Sequence, residues 1–141
     1  MEIGDWRLPK QIVNPPELAA PRGFNHAILC RGGSLLFLAG QDASDVNGHI
    51  VAAGDVVAQY EQVLRNLQAV VEAAGGAMQD IVKLNIFVKD RDDYKSKLAT
   101  LGRIHRQYFG DYYPTMALFE VTGFFQEDAL IEMEGFAYLE E

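Results

Sequence analysis

DVVAQYEQVLRNLQAVVEAAGGAMQDIVKLNIFVK, residues Asp55 to Lys89, holds two different hydrophobic periods in one run. Over its first half Val56, Val57, Tyr60, Val63, Leu64, Leu67, Val70 and Val71 recur at helical spacing and make one apolar face. Asp55 stands where an N-cap carboxylate would receive the first free amides, and Gly75-Gly76 supplies a left-handed stop. From Ile81 to Lys89 the period drops to two, with Leu84, Ile86 and Val88 opposed to Lys83, Asn85 and Lys89. Only Phe87 breaks the polar side of that strand. A long helix feeding directly into a half-buried strand predicts an α+β domain.

Upstream, His26–Cys30 and Ser34–Gly40 are two short apolar runs around Arg31-Gly32-Gly33, a pattern that predicts a β-hairpin. Residues 1–20 are Pro-rich and lack periodicity, so they are expected to form an extended N-terminal arm on a single domain of residues 21–141. Gln41 to Gly54 reads as a loop with a turn at Asn47-Gly48. Downstream, Asp92 or Asp93 is expected to cap a second helix reaching about Phe109, with Tyr94, Leu98, Leu101, Ile104, His105 and Tyr108 on one face. After Pro114 two strands follow, about Thr115–Val121 and Leu130–Leu139. The order is β-β-α-β-α-β-β, a mixed sheet with two helices on one face. Its other face would carry Phe87, Leu130 and Phe136, which need cover, so an oligomer is inferred.

The 141 residues suit one domain, and 49% hydrophobic with 23% charged residues is ordinary globular composition. A formal net charge of −8 disfavours nucleic acid and anionic membranes, and the basic residues are scattered rather than clustered. No apolar stretch approaches the roughly 20 residues that span a bilayer. Glu2, Asp5 and Trp6 are unlike a secretory signal, so a cytoplasmic location is expected. Cys30, the single cysteine, excludes an internal disulfide and reads as a buried small residue. His26, His49 and His105 show no metal-ligand spacing, so neither metal nor other cofactor is expected. GGAMQD (Gly75–Asp80) follows a helix instead of opening one, which makes it a C-cap rather than a phosphate loop, and no GxSxG nucleophile motif is present.

Six segments in order carry a family resemblance: GFNHA (Gly23–Ala27), LFLAGQ (Leu36–Gln41), NLQAVVEAAG (Asn66–Gly75), DIVKLNIFVKD (Asp80–Asp90), YPTMALFEV (Tyr113–Val121) and LIEMEGFA (Leu130–Ala137). Together they resemble the RidA/YjgF family of reactive intermediate deaminases. The resemblance implies a chorismate-mutase-like homotrimer with a small-molecule cleft at each subunit interface, where enamines or imines are hydrolysed to ketoacids and ammonia. It also implies where this chain departs. The family's arginine, two residues after the Pro that opens the penultimate strand, is here Met116, which offers no donor to a carboxylate. The family's tyrosine near the first strand aligns with Phe24, its serine before Gly-Gln with Ala39, and its cysteine with Leu118. A helix asparagine used by some members falls near Gly102.

Glu132 is the polar cleft group that persists. By resemblance it holds or activates the water that attacks the imine carbon; as a residue alone it also fits a solvated strand carboxylate. His26 is a candidate assisting acid/base or a hydrogen-bonded residue at a strand start. Tyr113, beside Tyr112, either lines the cleft or packs on the subunit seam, and His105 reads as a packed core residue. Two functions remain open: an enamine or imine hydrolase acting on a compound without a free carboxylate, or a non-catalytic trimer that binds a metabolite or docks a pathway partner.

Overall fold

A computed structural model describes residues 8–140. The elements are β1 (Lys10–Val13), β2 (Ala27–Cys30), β3 (Ser34–Gln41), α1 (Val56–Ala73), a 3-10 turn (Met78–Asp80), β4 (Ile81–Val88), α2 (Arg91–Ser96), α3 (Leu98–Phe109), β5 (Thr115–Glu120) and β6 (Ile131–Leu139). Four strands form the main sheet in the order β3-β6-β4-β5. β6 is antiparallel to both neighbours, whereas β4 and β5 are parallel. A parallel pair needs a crossover, and α2 with α3 provides it. The sheet is mixed and the class α+β, as the periodicities predict.

The sheet gains its core on one face. Asp55 caps α1 by accepting from the amides of Val57 and Ala58. The helix buries Val56, Tyr60, Val63, Leu64, Leu67 and Val71 against Leu84, Ile86, Val88, Ile131 and Met133 of the sheet and Leu101 and Phe109 of α3. Its end is a Schellman motif: Gly75 N–H donates to Glu72 O, Gly76 N–H donates to Val71 O, and Gly75 has φ +87°. Gln59 is a fully buried polar residue of this helix. Its amide donates to Ala52 O and Asp128 O and accepts from Leu130 N–H, so one side chain ties two loops to α1.

Several expectations change. The predicted hairpin does not form: β2 pairs antiparallel with β1, and β3 pairs with β6. The reason lies at Gly33, where a Cβ would collide with Leu139 O and the Tyr138 ring. The chain there passes tightly over the end of β6, and the Tyr138 hydroxyl donates to Arg31 O, so β6 takes the place beside β3. Of the expected arm, residues 1–7 lie outside the described residues, and Lys10–Val13 is the strand that partners β2. The second helix is two helices, broken at Lys97 (φ −117°, ψ 17°). Its cap is Asp90, which accepts from Asp93 N–H, and Ser96 Oγ donates to Asp93 O at the break. Leu130 packs against the core instead of the open face, and Cys30 is half-buried.

Candidate functional site

Residues opposite one another on neighbouring strands share a face of the sheet. Met116 lies opposite Leu84 and Leu118 opposite Ile86, both core residues, so Met116 and Leu118 face the helices. Glu132 lies opposite Phe87, and Glu134 opposite Asn85, on the face that carries no helix. The sequence-derived candidates therefore fall into two groups on opposite faces.

The first group sits along the β5 edge. Phe24, Met116 and Leu118 line one concavity with Arg22, Gly23, Ile86, Tyr94 and Ala117. Tyr113 joins Met116 in an adjoining cavity toward α3. The loop before β2 reaches this edge because Asn25 N–H donates to Pro114 O and the Asn25 amide donates to Tyr113 O.

The second group occupies the open face. Glu132 lines a concavity of about 410 Å³ with Gly40, Phe87, Glu134 and the Val121–Phe125 loop. Ala39 lies on the adjoining floor beside Phe37, Asn85 and Phe136. Glu132 is held above the ordinary glutamate range, first by burial and then by the Asp42 and Glu134 carboxylates. A Cβ at Gly40 would strike the Glu132 carboxylate, so glycine there lets the carboxyl lie against backbone. Aromatic rings surround the carboxylates. Phe87 stacks on Phe119 at 5.5 Å, and Phe37 meets Phe136 edge-on at 5.2 Å. Phe37 is 70% exposed in the single chain.

His26 lines neither group. Its Nε2 is 2.7 Å from Ala19 O, its backbone N–H donates to Asn14 Oδ1, and its ring stands edge-on to Phe24. His105 is buried, stacked between Phe109 (4.4 Å) and Tyr113 (4.5 Å), and burial lowers its basicity. His49 closes a surface turn through its N–H to Asp45 Oδ1. Among the described residues no group of three or more His, Cys, Asp or Glu is placed to hold a metal. No helix among them is long and apolar enough to cross a membrane.

Sequence reasoning passed over Gly40 and Arg22. Gly40 stood in the quoted LFLAGQ segment, but only the backbone approach shows what its missing Cβ permits. Arg22 carried no signal, since its place beside Met116 depends on how the loop returns to β5.

Two groups of candidate residues on opposite faces of a small mixed-sheet α+β domain define the class, and comparison with known proteins gives the family. A model described as endoribonuclease L-PSP matches residues 15–139, and the chain belongs to that family, the RidA/YjgF group. A RutC family protein of Pyrococcus horikoshii is 35% identical over 93% of this chain and 99% of its own. A crystal structure of a Rid family protein of unknown function, YyfB from Yersinia pestis, superposes with a TM-score of 0.83 at 32% identity, covering 94% of this chain and 100% of that one. A 2-iminobutanoate/2-iminopropanoate deaminase of Dermatophagoides farinae is 27% identical over 94% of this chain and 98% of its own.

Proposed function

We propose that the chain works as a homotrimer whose inter-subunit clefts hydrolyse a small enamine or imine. One observation carries this reading: the two half-sites lie on opposite faces of one sheet, so a single chain cannot close them around one ligand. They meet only if the open face of one copy packs over the β5 edge of the next. The exposed Phe37, Phe119 and Phe136 of that face favour such packing.

In the assembled cleft Glu132 provides the reactive group. Its carboxylate orients a water for attack on the C=N carbon, takes up the water's proton and returns it to the nitrogen, and the resulting carbinolamine loses ammonia to leave the carbonyl product. An enamine first takes a proton on carbon to become the imine. Met116 supplies no charge-assisted donor, so the substrate that fits carries no free carboxylate at that point. His26 is committed to Ala19 O and positions the loop that bears Phe24. The family description names ribonucleases, but a net charge of −8 opposes a polyanionic substrate.

The test is ammonia release from freshly generated enamines and N–H imines, with 2-aminoacrylate as the carboxylate-bearing case and the N–H imine of a simple ketone as the carboxylate-free case. The expected result is turnover of the carboxylate-free compound, with 2-aminoacrylate gained on Met116→Arg. Turnover of neither compound would support the alternative, a non-catalytic trimer that binds a metabolite or docks a pathway partner.

A further inference from the structure

Behind the β5 edge, a cavity of about 270 Å³ runs between α1, α3 and the β4–β5 pair. Its walls include the apolar Ile86, Leu98, Leu101 and Met116. It also gathers Tyr60, Tyr94, Tyr113 and His105 from four separate parts of the chain. Tyr60 and Tyr94 are almost wholly buried, at 5% and 9% exposure, yet neither hydroxyl has a hydrogen-bond partner among the described residues. Neither is an enclosed orphan, because no fully buried side-chain oxygen or nitrogen lacks a partner there. Each hydroxyl therefore keeps contact with open space. Tyr94 and Tyr113 both act on the acidity of Tyr60, which places the three phenols together.

His105 adds a fourth group. Its Nε2 lies 3.0 Å from Tyr112 O, and a carbonyl can only accept, so Nε2 carries the proton. Nδ1 is left as an acceptor without a partner among the described residues. Burial lowers the ring's basicity, which favours this neutral tautomer. On α3, Gly102 leaves open the volume a side chain would take: a Cβ there meets nothing within 4 Å. The Tyr60 and Tyr94 hydroxyls and His105 Nδ1 thus line one open void with bonding capacity to spare, and an occupant that bonds to them would displace no hydrogen bond of the fold.

We propose that this cavity is a ring-accepting subsite for a small neutral cyclic compound bearing an O–H or N–H group. The ring fits between the stacked aromatic side chains and the Leu98, Leu101 and Met116 walls. The donor reaches His105 Nδ1, and the tyrosine hydroxyls satisfy its remaining acceptors. Neutrality follows from the lining, which offers dipoles but no buried charge; Arg22, on the rim, is exposed. The subsite rests on the hydrolase reading only for its place in catalysis: Met116 lines both this cavity and the β5-edge concavity. Binding itself does not depend on turnover.

The test is binding of phenol to the full-length protein, followed by NMR of the tyrosine and histidine side chains. Toluene and benzoate serve as comparison ligands. Phenol at millimolar concentration should shift the Tyr60, Tyr94 and His105 signals, and toluene should bind about tenfold more weakly for want of one hydrogen bond. Gly102→Leu should abolish binding while keeping or raising the melting temperature, since leucine fills the void and suits a helix better. Absence of phenol shifts in the wild type, or unchanged binding in Gly102→Leu, would overturn the subsite. Tighter binding of benzoate than of phenol would overturn its neutral character by assigning the ligand's anion to Arg22. Each outcome is read without an activity assay, so a failed subsite and a failed hydrolase are told apart.

Discussion

At the scale of single residues, the proposed site turns on a carboxylate and the glycine against it. Glu132→Gln keeps the shape and removes the base, so turnover should be lost while stability changes by about 0.5 kcal/mol or less. A large fall in melting temperature with activity intact would make Glu132 structural. Gly40→Ala is the subtler change. Its methyl group pushes the Glu132 carboxyl aside, so kcat should fall while the fold persists. The acidity of Glu132 also sets a pH signature. Because burial and the neighbouring carboxylates raise its pKa, the proton stays on to higher pH than in a free glutamate. The acid limb of kcat/KM should accordingly lie above the ordinary glutamate range, and a limb within that range would contradict the role of Glu132. The sign for stability is the reverse of that for a paired carboxylate: the Glu132 contribution is fully present below the unfolded pKa and is lost as pH rises through the folded value.

At the scale of elements, α1 and β4 were legible because their side chains keep one period from end to end. The two ends of α1 were legible as well, since Asp55 and Gly75-Gly76 act through their own backbone neighbours. What sequence could not give was partnership between distant segments. β2 looked like one arm of a hairpin, but nothing local says that the last strand of the chain will pack beside β3. The break at Lys97 is hidden for a similar reason, because lysine is a good helix former and the Ser96–Asp93 bond appears only in three dimensions. The candidate site divides along the same line. Glu132 and Met116 were singled out by position in a motif, whereas the cavity joins Tyr94 and His105, which share a helical face in the sequence, to Tyr60 of α1 and Tyr113 of the loop before β5, which sequence spacing does not connect to them. Gln59 offers the element-scale test. Replacing it with leucine orphans Leu130 N–H and the two loop carbonyls, so Gln59→Leu should cost about 2–4 kcal/mol in denaturant unfolding. A loss within experimental error would mean that the loops find other partners.

For the whole molecule, the open face decides the account. The core lies on one side of the sheet and a row of exposed aromatic side chains on the other, and the proposed site is completed only when that row is covered by another copy. Phe37 shows the distinction: it contributes little to the single-chain core, so Phe37→Asp should leave the chain folded and dissociate the assembly. Circular dichroism and solution mass, measured on the same sample, separate those two effects. A net charge of −8 disfavours polyanionic partners, and the proposed trimer assigns the apolar face to contact between copies. The most direct test is the mass of the unmodified protein by light scattering at micromolar concentration. Three times the chain mass is predicted, with Glu132 of one copy brought to the β5 edge of the next. A monomer would contradict the shared cleft and the hydrolase reading built on it.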